Sequence, residues 1–319
     1  MKPYLWMTDF TPQTEWIDGK GALLWLAFFF SEIGAGVYMV SLFLGLWAGC
    51  LSGWLGCAIL GGGFHMAYLG RPARAWRSIL RPGSSELSRG IILMGLFLGL
   101  GVFQMAPGLV SGLPWEGNTL FFKIVLSILA FFVITHGFMT LSFMRAVPFW
   151  NSGIMPVLCL ASGLWVGGQF TAAMAMGTGN FPLVATLEPV ARWFLFAYML
   201  LTLFYFWNAA HGFMASKRSV EVLLKGDLAP LFYVGIVGFA LIIPLIITLY
   251  FCANPVDSAR GLLWLRVFCA LVGDLVLRYC ILKAARYMPL IHSNLLTGAH
   301  SLWGRKSIRR WVLWPDGAW

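Results

Sequence analysis

Titratable and cationic side chains crowd one short segment, His65-Met-Ala-Tyr68-Leu-Gly70-Arg71-Pro72-Ala-Arg74-Ala-Trp76-Arg77. An imidazole exchanges protons near neutral pH, because its unperturbed pKa is about 6.5. Here it closes an apolar stretch and is followed at once by an arginine-rich turn, so a proton-exchanging ring lies under dense positive charge. A histidine at a helix end can also simply bond terminal carbonyls and favour the dipole there. Elsewhere, Glu32, His136, Arg266, Asp274 and Arg278 interrupt long apolar runs, and His211 ends one. Each buried charge costs about 2.5–3.5 kcal/mol even on lenient scales, so such residues mark partners or function. Asp274 and Arg278 stand four apart, on one helix face, as an intrahelical ion pair or part of a proton path. Glu32 lies in Ser31-Glu32-Ile-Gly34-Ala-Gly36, where small residues allow helices to approach closely. His136 and His211 also fit hydrogen-bonded core or interfacial roles.

The elements that position these residues are membrane helices. The chain has 319 residues, of which 60% are hydrophobic and 11% charged, with a mean hydropathy of +0.80. A soluble domain carries about 25% charged residues. Sixteen tryptophans suit aromatic belts at headgroup level. Windows of about 20 apolar residues fall at 21–45, 47–69, 89–107, 119–143, 152–176, 187–211, 229–251 and 261–284. The fold class is therefore all-α, a polytopic bundle of eight transmembrane helices. A surface segment is expected over 1–20 and a polar, aromatic surface tail over 285–319. The first twenty residues contain Asp9, Glu15 and Asp18, so no cleaved signal peptide is expected.

Eight spans put both termini on one side. That side gathers Lys2, Lys20, Arg71, Arg74, Arg77, Arg81, Arg89, Arg145, Lys217, Arg218, Lys225, Lys283, Arg286 and the tail residues Arg305, Lys306, Arg309 and Arg310. The other side has only Lys123, Arg192 and Arg260. The positive-inside rule then places both termini in the cytoplasm, with the chain in the inner (cytoplasmic) membrane. The net charge of +10 follows from this bias, and there is no soluble basic domain to hold nucleic acid. Six cysteines without a C-x-x-C pair read as small apolar packing residues, so no iron-sulfur cluster of its own is expected. Haem b would need two histidines facing across the bundle, and the spacing alone pairs none. No metal site is expected.

The motif His65-x3-Leu69-Gly70-x-Pro72-x-Arg74-Ala75, followed by Leu87-Ser88-Arg89, resembles the membrane-anchor subunits of molybdenum oxidoreductases of the dimethyl-sulfoxide-reductase type, within the NrfD-like superfamily. Val147-Pro148-x-Trp150 and Gly273-Asp274-Leu275-x2-Arg278 are similar to further family segments. The resemblance implies a chain that anchors a ferredoxin-like iron-sulfur subunit and a molybdopterin catalytic subunit and exchanges electrons with a quinone, menaquinone or ubiquinone. It implies a quinol-binding role for the histidine, here His65. One departure stands at Gly90, where relatives often carry an acid; Glu86 is nearby.

Elementary chemistry leads to a similar site. A quinone head takes or releases protons at two carbonyl oxygens while its prenyl tail stays in lipid, so a site just below the membrane surface suits it. His65, Tyr68, Arg71, Arg74, Trp76 and His136 are the expected quinone-binding residues, with Arg74 and Trp76 bounding the pocket. Glu32, Asp274 and Arg278 are expected to move protons or form a structural ion pair. Arg77, Arg81, Arg89 and Arg145 are expected to dock the partner or touch lipid headgroups. A cytoplasmic catalytic unit fits quinone reduction coupled to oxidation of an inorganic sulfur compound such as sulfite. The alternatives are a quinol-oxidising anchor of a sulfoxide or polysulfide reductase, a transporter or proton channel, and a passive anchor.

Overall fold

In the computed structural model, which describes residues 9–289, the chain is a helical bundle. In chain order, α1 is Gly21–Phe43, α2 Trp47–Tyr68, α3 Glu86–Met105, α4 Leu120–Ser142, α5 Ile154–Gly177 and α6 Phe181–His211. They are followed by α7 at Met214–Lys225, α8 at Leu231–Ala253 and α9 at Arg260–Lys283. Among the described residues the one bridge outside helices joins Pro12 to Arg286.

Helices α1–α6 and α8 are long and apolar enough to cross a membrane. Helix α9 matches them at 24 residues, but Arg266, Asp274 and Arg278 dilute its apolarity. All three are buried, so its charges face protein rather than lipid. These eight helices occupy the eight apolar windows. Helix α7 lies between two of them; it carries Lys217, Arg218, Glu221 and Lys225 while burying Val220 and Leu223.

Helix α6 starts six residues before its apolar window. Asn180 caps it by accepting from the Leu183 amide at 3.3 Å, and Pro182 stands in the first turn. Proline is tolerated there because its missing N–H would be unsatisfied anyway. Helix α2 contains a π-helical stretch at Gly56–Gly61, and π-bulges are frequent at functional sites.

The chain ends of the spans define two faces. Asp18 pairs with Lys283 at 2.5 Å, Gln13 N–H donates to the Ala285 carbonyl at 2.9 Å, and Met288 N–H donates to the Ala146 carbonyl at 3.0 Å. The entry to α1, the loop after α4 and the exit of α9 therefore meet on one side. His65 belongs to it, since its ring packs on Phe28 of α1 at 5.7 Å. On the opposite face Trp47 donates to the Met105 carbonyl at 3.0 Å, and Arg192 donates to the Phe251 carbonyl at 3.1 Å. At the centre, α1 crosses α5 so closely that a Cβ on Gly36 would strike the Gly163 backbone. Small residues supply this approach where the hydrophobic effect does not drive helix association. The tail over 293–319, with Arg305, Lys306, Arg309 and Arg310, lies outside the described residues, as does Lys2.

Candidate functional site: a two-histidine cavity beside a buried charge cluster

Four helices enclose a cavity of about 40 Å³ below the histidine face, with Phe28, Ser31, Glu32, His65, Gly90, Met94, His136 and Phe138 in its wall. His65 reaches it from the last turns of α2, just beyond the π-helical stretch. Its Nδ1 lies 2.9 Å from the Gly61 carbonyl. A carbonyl only accepts, so Nδ1 carries the hydrogen and, in the neutral ring, Nε2 is the free basic nitrogen. His136 enters from α4. A Cβ on Gly90 would overlap its imidazole ring, so glycine at 90 is what lets His136 occupy this place. The Ser31 hydroxyl is buried in the same wall and has no hydrogen-bond partner.

Glu32 joins this cavity to a second group. Its carboxylate pairs with Arg278 of α9, and Arg278 also pairs with Asp274. Arg278 Nε donates to Glu32 at 3.1 Å and its Nη2 donates to the Ser162 hydroxyl at 3.0 Å. Ser162 donates in turn to Asp274 at 2.6 Å, and the Tyr198 hydroxyl reaches the same oxygen at 3.5 Å. The rings of Phe29 and Phe138 cover the guanidinium, each at 5.7 Å. The i,i+4 pair expected from sequence is present. It is one half of a cluster in which two carboxyls share one cation.

A further buried pair was not singled out from sequence. Arg266 binds Glu188 of α6, with Thr248 at 3.2 Å and the rings of Phe251 at 5.2 Å and Trp165 at 5.9 Å. Glu188 is buried as well. The available signal was Arg266 itself, since a guanidinium on an apolar helix demands a counter-ion and Leu187-Glu188-Pro189 offers one.

The remaining expected residues lie outside the cavity. Arg71, Arg74, Arg77, Arg81 and Arg145 are exposed, and Trp76 is 58% exposed. Tyr68 is half-buried near the end of α2. Residues Pro72–Ile79 form a 3-10 helix that is tied to α3 through the Ser88 hydroxyl on the Ser78 carbonyl. The Arg77 guanidinium sits 5.6 Å over the Trp76 ring. Arg89 is engaged locally. It pairs with Glu86 and donates to the carbonyls of Pro82 at 2.8 Å and Gly83 at 3.0 Å. Glu86 itself is not in the cavity wall. His211 is exposed, stacked on Trp207 at 4.5 Å and bonded to its carbonyl at 2.9 Å, and it is not in the cavity wall. The six cysteines are free thiols, five of them buried.

A multi-span helical bundle with charges paired inside it and two histidines in a cavity under one face is the class of protein these features define. Within that class the chain belongs to the polysulphide reductase, NrfD family, whose profile matches residues 21–289. It is similar to the C subunit of polysulfide reductase from Wolinella succinogenes, at 27% identity over 171 residues that cover 51% of this protein and 53% of that subunit. The match therefore spans about half the length of the relative.

Proposed function

We propose that the chain is the quinone-reactive membrane anchor of a multi-subunit oxidoreductase. It would pass electrons between a docked iron-sulfur subunit, itself bound to a molybdopterin subunit, and quinone in the bilayer. The observation that carries this reading is the convergence of His65, His136 and Glu32 on one cavity just under the histidine face. Family membership supports the partners.

Quinone chemistry moves protons together with electrons, and the chain's own residues answer the proton half. His65 is held by the Gly61 carbonyl, which leaves Nε2 to accept or donate a proton at a carbonyl oxygen within hydrogen-bond reach. His136 offers a second exchanging ring from the facing helix. Phe28, Met94, Val133, Ile134 and Phe138 keep the walls apolar, which suits an aromatic head and excludes bulk water. At about 40 Å³ the cavity is far below the roughly 300–1,000 Å³ of ligand pockets. On this reading it is the inner end of the site, and the head group docks at its mouth, within reach of Nε2.

The exposed arginines between 71 and 81 form a cationic apron on the same face and suit an acidic partner or lipid phosphates. By the positive-inside rule this face is cytoplasmic. A cytoplasmic docking face favours quinone reduction coupled to oxidation of a sulfur compound such as sulfite. Likeness to the polysulfide reductase C subunit favours the second reading, in which the site oxidises quinol for a terminal reductase.

The test is His65→Ala in the intact complex, assayed with quinone and, separately, with a soluble dye. Quinone-linked turnover should fall by roughly 10²–10⁴-fold, the range for a lost acid–base group, with dye-linked turnover and assembly kept. Equal loss of both makes His65 a structural residue. Ion flux through liposomes holding the bare anchor, without turnover, would replace the anchor reading with a channel.

A further inference from the structure

Helices α6, α7 and α8, none of which contributes to the wall of the histidine cavity, enclose an open groove of about 480 Å³. Leu203, Phe204 and Trp207 of α6, Val220 and Leu223 of α7 and Phe232 of α8 stand in its wall, and every side chain there is aliphatic or aromatic. The volume falls within the roughly 300–1,000 Å³ of ligand pockets. Such a wall suits a hydrocarbon chain.

The groove opens at headgroup level on the histidine face. Helix α6 is the sixth span and ends on that side, as α2 and α4 do. Helix α7 is held there too, because its Arg218, Glu221 and Lys225 share a surface pocket with Phe10 and Arg286, next to the entry of α1 and the exit of α9. It has the build of an interfacial helix. Phe213 and Met214 at its start are 64% and 54% exposed, Val220 and Leu223 are buried, and Lys217, Arg218 and Lys225 stand against the single acid Glu221. Basic amphipathic helices of this kind lie in the membrane surface and attract acidic lipids.

Its three cations differ in their engagements. Arg218 pairs with Glu221 at 2.7 Å, and Lys225 lines the pocket with Arg286. Lys217, Val220 and Leu224 recur at spacings of three and four, which puts Lys217 on the groove side of α7. It is half-buried, and no ion pair among the described residues includes it. A lysine with an apolar stem along the groove and a free ammonium at its edge is placed to meet an anion.

We propose that the groove between α6, α7 and α8 binds one acidic phospholipid, with an acyl chain along Leu203, Trp207 and Phe232 and the headgroup phosphate on the Lys217 ammonium. A phospholipid supplies both halves of the match, a hydrocarbon chain for the wall and an anion for the cation at its edge. A prenyl quinone supplies a chain but no anion, and the cavity assigned to its head lies on other helices. Bound there, the lipid fastens α7 to two spans at the membrane surface.

The experiment uses the full chain, stripped of lipid in a neutral detergent and titrated with phosphatidylglycerol or with phosphatidylcholine of the same acyl chains, the bound lipids being counted by native mass spectrometry. One phosphatidylglycerol should be retained about fivefold more tightly than phosphatidylcholine, the effect of one cation near the surface. Lys217→Gln should abolish this preference and leave phosphatidylcholine binding as it was. Leu203→Trp enlarges an exposed side chain, fills the groove and keeps every charge in place. It should weaken retention of both lipids roughly tenfold, the loss of about two buried methylenes. Lys225→Gln, in the other pocket, should change nothing. Equal losses from Lys217→Gln and Lys225→Gln would mean general attraction to the charge of α7 and would overturn the site. So would equal retention of the two lipids by the unaltered chain, or displacement of phosphatidylglycerol by an equimolar prenyl quinone.

Discussion

The Arg266–Glu188 pair and the Arg278–Glu32–Asp274 cluster are set on the same helix and buried to the same degree, yet they differ in count and surroundings. The first is one cation against one anion, packed between Trp165 and Phe251. The second is one cation against two acids, with one acid in the wall of a histidine cavity. A balanced pair is neutral as it stands. An unbalanced cluster in a low-dielectric interior carries a charge that a proton can neutralise, and it borders groups able to supply or take that proton. Burial alone therefore does not distinguish the two regions; stoichiometry and access do.

The largest effect should come from removing the shared cation. Arg278→Leu leaves two acids facing each other in the bundle and should cost about 3–5 kcal/mol, read as lost yield of folded protein and a lower Tm. Survival with normal stability would mean that the cluster is not held by its charges. Next, Gly90→Ala should displace the His136 ring while sparing the fold. Quinone-linked turnover is expected to drop roughly 10²-fold against unchanged dye-linked turnover, and a normal rate would remove His136 from the site. Smaller still, neutralising Arg71, Arg74 and Arg77 one at a time to Gln should each cost about 1 kcal/mol or less in partner binding. A titration of the partner subunit at two salt concentrations checks this, because exposed charges are screened. The smallest effect should follow from replacing the balanced pair whole. Glu188→Leu with Arg266→Met should leave stability unchanged or raised, as apolar replacements of buried pairs often do. A loss as large as that of Arg278→Leu would erase the difference between the two regions.

Much of this was legible in the amino-acid sequence. The apolar windows coincide with the long helices, because a bilayer demands a run of about 20 apolar residues whatever the packing. Asp274 and Arg278 could be paired from spacing, because four residues bring two side chains onto one helix face. Longer connections were not legible. Glu32 and Arg278 are 246 positions apart in sequence, and no period links them. Glu188 passed unnoticed because it stands at the edge of its apolar window, next to Pro189. Glu86, near the position where relatives often carry an acid, pairs with Arg89, a contact that i,i+3 spacing on one helix face allows.

Composition and charge asymmetry by themselves determined a multi-span helical protein with a basic face and a histidine beneath it, since these follow from transfer energies that act residue by residue. Only the tertiary structure decided that His65 and His136 share a cavity, that glycine at 90 makes room for the second ring, and that two acids divide one arginine. Those facts depend on which helix faces which, and that is set by close contacts such as Gly36 on Gly163; a run of small residues signals such a contact but does not name its partner.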